Sequence, residues 1–265
     1  MTTITMTKPA LLPLKRQYRR EGFAIAKNYL NAKQLDSIRE EVASLANDTR
    51  ADRSETVVEF GADNSCLNYD IRLAPPKLVD FGLSEQLINL LRLMTEWDQA
   101  LLYDYYIFKK PEGAPRTPWH RDGDYLPIDG ELCTLWIPLD PYEKALQYAS
   151  GTNRLEPTES LCESQEQLDR LFTRPGVKVY NTGSMNVGDV DVHNHKVWHL
   201  GPGNTTAKSR QAIAFTYVPV GSHVRLDPKG FNSISGFQQR NSHLQAYFNG
   251  RNNIALEGHH LIKAY

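Results

Sequence analysis

Pro118-Trp119-His120-Arg121-Asp122-Gly123-Asp124-Tyr125 is the stretch on which the reading of this chain turns. It carries a His-x-Asp pair. In an extended backbone residues i and i+2 point to the same face, so His120 and Asp122 can present an imidazole and a carboxylate to a common point. That is two-thirds of a metal site built from two His and one carboxylate on one face of the ion, with the opposite positions open. The second His has to come from elsewhere, and His193, His195 and His199 are the candidates.

Immediately upstream, residues 110–115 are turn chemistry rich in Pro and Gly. Before that turn the hydrophobic period is two. Leu101, Tyr103, Tyr105 and Ile107 alternate with Leu102, Asp104, Tyr106 and Phe108, and both faces are bulky, as in a strand buried on both sides. Downstream, Cys133, Leu135, Ile137 and Leu139 form one apolar face, with Thr134 and Trp136 on the other. Residues 142–154 end in the turn Ala149-Ser150-Gly151-Thr152. Residues 155–180, with Glu156, Glu159, Glu163, Glu166 and Asp169, read as a polar insertion with a short helix over 165–172, and insertions of this kind often form lids. A turn at Gly188-Asp189 leads to a short strand over 190–193. After His199, the turn Gly201-Pro202-Gly203-Asn204 precedes a strand over 209–220 with Arg210, Ala212, Ala214 and Thr216 on one face.

The N-terminal part is helical. Residues 31–47 have Asn31 as N-cap and a stripe of Leu35, Ile38, Val42 and Leu45; residues 84–97 carry Leu87, Leu90, Leu91 and Met94 on one side. Short strands are expected at 22–26 and 56–60. The basic cluster at 15–20 reads as a solvated helix face or a lead-in to the first strand. Residues 221–265 show no readable pattern. The whole predicts a mainly β (α+β) chain: a double-stranded β-helix, or jelly-roll, core braced by N-terminal helices. We expect residues 1–265 to form a single domain, with its core at about 20–220 and a C-terminal extension over 221–265.

Composition narrows the function classes. The formal net charge of −1 gives no basic excess for a nucleic-acid surface. The 3 Cys are scattered without C-x-x-C spacing, which argues against a disulfide framework or zinc ribbon and for a reducing cytoplasm. No apolar run is long enough for a signal peptide or a membrane span, so no membrane partner is expected.

Taken in order, Lys110-Pro111, Trp119-His120-Arg121-Asp122, Tyr125-Leu126-Pro127, Leu135-Trp136-Ile137-Pro138-Leu139, Gly151-Thr152-Asn153-Arg154, Gly188-Asp189-Val190, His199 and Arg210 resemble the phytanoyl-CoA dioxygenase family of Fe(II)/2-oxoglutarate oxygenases. His-x-Asp alone is a weak signal; the ordered set, over about residues 20–220, is a strong one. The resemblance implies that His120, Asp122 and His199 bind Fe(II) as metal ligands. It implies that Arg210 pairs with the distal carboxylate of 2-oxoglutarate, for which a bidentate guanidinium suits better than Lys, and that Trp136 lines the co-substrate pocket. Two positions depart from the family pattern. Arg121 stands where relatives often have Gln, and Gly201 where many have a Ser that contacts the co-substrate. The presence of Asp122 sets this chain apart from halogenating relatives, which lack the carboxylate. The implied reaction consumes O2 and 2-oxoglutarate, releases succinate and CO2, and hydroxylates an unactivated C–H; desaturation, cyclisation and oxidative dealkylation are related outcomes.

Candidate substrate-wall residues are Tyr103, Tyr105, Arg121, Asp124, Tyr148 and Asn153, with the region 59–72 above them; among these, Arg121, Tyr105 and Tyr148 are the leading substrate-binding candidates. Because a charge in a dry pocket is costly unless paired, such walls predict a small polar, amino-acid-like or natural-product substrate. Two other readings stay open: a cupin-type metal protein using His193, His195 and His199, and a non-catalytic jelly-roll binding module. The tail could also build a homodimer face.

Overall fold

Period-two segments become strands, and the apolar stripes become helices laid against one side of them. The computed structural model describes residues 8–47, 57–60, 66–69, 74–124, 128–156, 159, 162, 164–201, 203–224, 255–256 and 262–265. The expected Tyr125-Leu126-Pro127 stretch, most of the 59–72 wall and most of the tail lie outside these residues.

In chain order the elements are α1 (Lys8–Glu21), β1 (Phe23–Ala26), α2 (Ala32–Asn47), β2 (Val57–Phe60), β3 (Cys66–Tyr69), α3 (Pro76–Gly82), α4 (Glu85–Thr95) and β4 (Ala100–Lys110). Then come β5 (Ile128–Asp129), β6 (Cys133–Pro138), β7 (Gln147–Ser150), α5 (Gln165–Phe172), β8 (Lys178–Asn181), β9 (Val190–Asn194), β10 (Trp198–Leu200), β11 (Arg210–Pro219), β12 (His223–Val224) and β13 (Ile262–Lys263). A large antiparallel sheet has the order β1-β9-β6-β11-β4-β3-β2, with β13 on β4; a smaller sheet has the order β10-β7-β8, and β12 pairs with β5.

The large sheet sorts its side chains by parity. Tyr105, Ile107, Leu135, Ile137, Ile213 and Phe215 face the helices, where they join Leu35, Ile38 and Val42 of α2 and Leu87, Leu90 and Leu91 of α4 in the main core. The opposite parity, Trp136, Ala212 and Ala214 with Tyr106 and Phe108, faces the small sheet and packs with Phe23, Tyr142, Tyr148 and Val197. The alternation expected of β6 and β11 therefore divides an outer core from an inner one.

Asn31 caps α2 as expected, its Oδ1 accepting from the Lys33 N–H at 3.0 Å. The basic cluster at 15–20 is the end of α1. Lys15 and Arg19 pair with Glu96, and Arg20 pairs with Glu21, so these cations already face carboxylates of the fold. A Pro at 13 inside the helix removes a backbone donor, which masks α1 in the sequence. The helix expected at 165–172 is present as α5, held by a capping box at Ser164 and Gln167.

The β9 strand is aimed by the turn before it. Gly188 has φ +103, and a Cβ there would meet the Leu30 carbonyl at 2.8 Å, so only glycine fits. Asp189, almost fully buried, accepts from the backbone N–H groups of Asn28 at 2.8 Å and Asn186 at 2.9 Å and from Lys27 Nζ at 3.0 Å.

Candidate metal centre

His120 and His199 meet through the main chain. Each N–H bonds the other residue's carbonyl at 2.9 Å, forming an antiparallel bridge that extends β10 by one pairing. The ring centroids are 4.1 Å apart. Asp122 reaches the same place by a route the sequence does not anticipate. It opens a 3-10 turn, Asp122–Asp124, instead of continuing a strand. The chain turns because the Gly123 N–H bonds the His195 carbonyl at 3.0 Å and the Asp124 N–H bonds that of Arg121 at 3.1 Å. A Cβ at Gly123 would lie 2.7 Å from His195 Cδ2, so the turn docks there only as glycine.

One donor atom from each of His120, Asp122 and His199 lies within 4.8 Å of the others. Asp122 Oδ1 is 3.8 Å from His120 Nε2 and 3.6 Å from His199 Nε2. Each imidazole spends its other nitrogen on a backbone carbonyl: His120 Nδ1–H donates to Pro118 at 2.8 Å, and His199 Nδ1–H to Val197 at 3.1 Å. That assignment leaves both Nε2 lone pairs facing Asp122, the tautomer a metal ligand needs. Two neutral imidazoles and one carboxylate fit iron.

Electrostatics agree. Burial lowers the affinity of His120 and His199 for protons, most strongly at His199, where the neighbouring His120 adds to it. Burial works to raise the Asp122 carboxyl, but the surrounding His199, His193 and His120 outweigh it and hold it well below the usual carboxylate range. The ligand forms, neutral His and ionised Asp, are thus the favoured forms.

The three downstream histidines separate. His199 joins the site. His193, on β9, points at Asp122 without joining the donor group, its Nε2 3.3 Å from Oδ2. His195 sits beyond the end of β9 with the Leu132 N–H 3.1 Å from its Nδ1, and it packs on Gly123 instead of converging with His199. The cupin arrangement of His193, His195 and His199 is therefore not what the fold builds. The three residues do not share one straight strand, because β9 ends at Asn194 and the chain turns before β10.

Arg210 is buried at the start of β11, with its Cζ 4.4 Å above the Tyr142 ring, and Tyr142 packs edge-on to Trp136 at 5.1 Å. Its terminal nitrogen donates to the Gly203 carbonyl at 3.0 Å, and its Nε has no partner among the described residues. It opens on a cleft of about 230 Å³ whose walls include Arg116, Lys144, Gln147 and Leu200. The metal ligands do not line this cleft. Gln147 and Leu200 are, however, the strand neighbours of the paired Tyr148 and His199. The guanidinium thus shares a cleft with Leu200, the residue that follows His199. At Gly201 a Cβ would come within 3.1 Å of Thr117 Oγ1, so a hydroxyl from Thr117 lies beside the position where relatives carry Ser.

The expected substrate residues fare differently. Tyr105 is fully buried in the outer core, on the helix side of the sheet. Its neighbour Tyr106 carries the inward parity. Tyr105 is expected from sequence on the pocket side, although with both faces of β4 bulky the alternation gives no ground for choosing that face. Arg121 turns onto Asp124, Nε to Oδ2 at 2.8 Å and a terminal nitrogen to Oδ1 at 2.6 Å, and lies 5.4 Å over the Trp198 ring. It braces the turn that carries Asp122. Tyr148 stacks flat on Phe23 at 4.0 Å, and its hydroxyl donates to Asp191 Oδ1 at 2.7 Å, so it supports the centre from below. Tyr103 packs in a third cluster with Leu101 and Ile128, and Asn153 donates to the Arg19 carbonyl at 3.3 Å.

Sequence reasoning missed Thr134, Asp191 and the part played by His193. A signal was present: Asp191 and His193 alternate with Val190 and Val192 in one short strand, which places two polar groups on one face of a buried segment.

The chain belongs to the phytanoyl-CoA dioxygenase (PhyH) family, whose model matches residues 18–212. Among solved structures it is similar to the non-haem alpha-ketoglutarate-dependent epimerase SnoN from nogalamycin biosynthesis, with a TM-score of 0.76, 18% identity and 98% of this chain and 100% of that chain covered. The corresponding carbocyclase SnoK gives a TM-score of 0.75 and 17% identity over 99% of this chain and 98% of that one. EctD from S. alaskensis, solved with 2-oxoglutarate and 5-hydroxyectoine, gives 0.66 and 16% over 88% and 83%. No curated protein sequence matches. The fold is the jelly roll of Fe(II)/2-oxoglutarate oxygenases, and the chain falls in that general class of enzyme. Among the described residues no helix is long and apolar enough to cross a membrane.

Proposed function

We propose that this protein is an Fe(II)- and 2-oxoglutarate-dependent dioxygenase that hydroxylates a C–H bond of a small polar, amino-acid-like or natural-product metabolite, releasing succinate and CO2. One observation carries the reading: His120, Asp122 and His199 converge, and the buried Arg210 opens on a cleft also lined by Leu200, the residue after His199. His120, Asp122 and His199 hold the metal. Arg210 holds the far carboxylate of 2-oxoglutarate, presented by the Tyr142 and Trp136 rings. Bound iron, with 2-oxoglutarate and O2, supplies the oxidising power needed for an unactivated C–H. The chain supplies the position of the metal and of the co-substrate.

Support for the substrate class comes from the relatives more than from the walls. Arg121 and Asp124 neutralise each other, so they call for no charged ligand. SnoN and SnoK belong to the biosynthesis of a natural product and match this chain over nearly its whole length. That favours a natural-product metabolite, with epimerisation and carbocyclisation as the related outcomes beside hydroxylation. Succinate release over a panel of amino acids, their derivatives and polycyclic natural products tests the proposal. Turnover confined to acyl-CoA thioesters would overturn it.

A further inference from the structure

We propose that His193 and Thr134 are positioning residues: together they occupy Asp122 Oδ2 so that only Oδ1 is offered to the metal. The inference rests on the oxygenase reading above and adds to it a pair of residues outside the metal-donor group.

A carboxylate on a short side chain can swing about its last bond. It can offer one oxygen, offer both, or turn away. Here the two oxygens have separate tasks. Oδ1 faces the Nε2 atoms of His120 and His199, at 3.8 and 3.6 Å. Oδ2 accepts from the Thr134 hydroxyl at 2.9 Å and lies 3.3 Å from His193 Nε2. A carboxylate oxygen only accepts, so the Nε2 that faces it bears the hydrogen.

The two donors are themselves held. Thr134 Oγ1 is 3.5 Å from Thr216 Oγ1 on the neighbouring strand. His193 Nδ1 lies 2.9 Å from Asp191 Oδ1 and 3.0 Å from the Tyr148 hydroxyl. Tyr148 donates to that same Asp191 oxygen at 2.7 Å, and its ring is clamped on Phe23. All of these side chains are buried, and β9 and β6 place Thr134 directly opposite His193. The result is a chain of contacts from Phe23 to Asp122 that sets the carboxylate's rotation before any ion arrives. An Asp with both oxygens free could close on the metal with two bonds, occupying a position that the open face needs.

The test uses the full-length protein and Co(II) alone, followed by its visible absorption without 2-oxoglutarate or O2. Thr134→Val keeps shape and removes one donor. His193→Leu removes the other, and His193→Gln returns an N–H near the Nε2 position. We expect the Thr134→Val/His193→Leu double variant to lose roughly ten- to a hundredfold in Co(II) affinity, as is usual for outer partners of a ligand. We also expect its Co(II) spectrum to change as the second carboxylate oxygen enters, with Thr134→Val/His193→Gln returning towards Thr134→Val alone. If His193→Leu does not fold, Thr134→Val must still shift affinity or spectrum, and Thr134→Val/His193→Gln must stay close to Thr134→Val alone. Unchanged affinity and spectrum in folded variants, or His193→Gln behaving as His193→Leu does, would overturn the positioning role and leave the oxygenase reading intact. Failure of the wild-type protein to bind Co(II) would overturn both.

Discussion

His120 and His199 are joined by their backbones, N–H to carbonyl at 2.9 Å in each direction, and their rings stand 4.1 Å apart across that bridge. Two ligands far apart in sequence are thereby brought together by main chain, and no side chain is needed to bring them there. The third, Asp122, enters from a turn docked on His195.

The ligand prediction follows from that division of labour. His120→Ala, His199→Ala and Asp122→Ala should all fold, since the bridge survives truncation. Each should lose more iron affinity than the roughly 10–100-fold typical of an outer partner. Iron content after anaerobic reconstitution, with circular dichroism as the fold control, checks this. Full iron retention by Asp122→Ala would point back to a site made of histidines alone.

Arg210 should govern the co-substrate. Its guanidinium is buried, its Nε has no partner among the described residues, and it opens on a cleft beside Leu200. Arg210→Gln removes the charge from a hydrogen-bonded pair, a loss of about 1.5–3 kcal/mol, or roughly a ten- to hundredfold rise in the KM for 2-oxoglutarate. At saturating 2-oxoglutarate turnover should change far less, because such binding is uniform between ground and transition states. Steady-state succinate formation against 2-oxoglutarate concentration reads both.

His195 should make the fold acid-labile. Burial, aided by Lys196, holds its imidazole down at about 4 against an ordinary 6.5. Between those values the unfolded chain binds a proton that the folded chain refuses. Stability from this group is therefore complete above pH 6.5 and is lost as pH falls towards 4. At pH 5 the loss is about 2 kcal/mol. His195→Asn keeps an acceptor near Nδ1 and does not titrate. Urea unfolding at pH 7 and pH 5 should show a fall in stability smaller by that amount in the variant. His120 and His199 remain in both proteins, so they cancel; equal falls would show that His195 takes its proton without penalty.

Tyr105 should be silent in catalysis and costly in stability. It is packed on the helix side of the large sheet. Tyr105→Phe should leave the KM for 2-oxoglutarate and for substrate unchanged, whereas Tyr105→Ala should cost about 3–5 kcal/mol as other large-to-small aromatic truncations do. A kinetic phenotype in Tyr105→Phe with normal stability would place that face of β4 in the pocket after all.

Much of the fold was legible because local periodicity reports local burial. The stripe of Leu35, Ile38 and Val42 and the alternation of Leu135 with Trp136 both appear in the structure as expected. Failures came where the signal was ambiguous. The Pro at 13 hid α1, and the exposed β8 carries no alternation to read. In β4 both faces are bulky, so parity could not say whether Tyr105 or Tyr106 looks inward. That depends on the sheet packed against each face, with a register shift opposite Thr216 and Tyr217 adding to the ambiguity.

By itself the sequence determined the kinds of donor, their order and the jelly-roll class, because ligand chemistry belongs to side chains and strand or helix period belongs to short windows. Only the tertiary structure decided that His195 packs on Gly123 away from His199, that Arg121 closes on Asp124, and that His193 Nε2 faces Asp122. Those outcomes depend on register between strands distant in the chain. There a shift of one residue moves a side chain to the other face, and no local pattern records which register was taken.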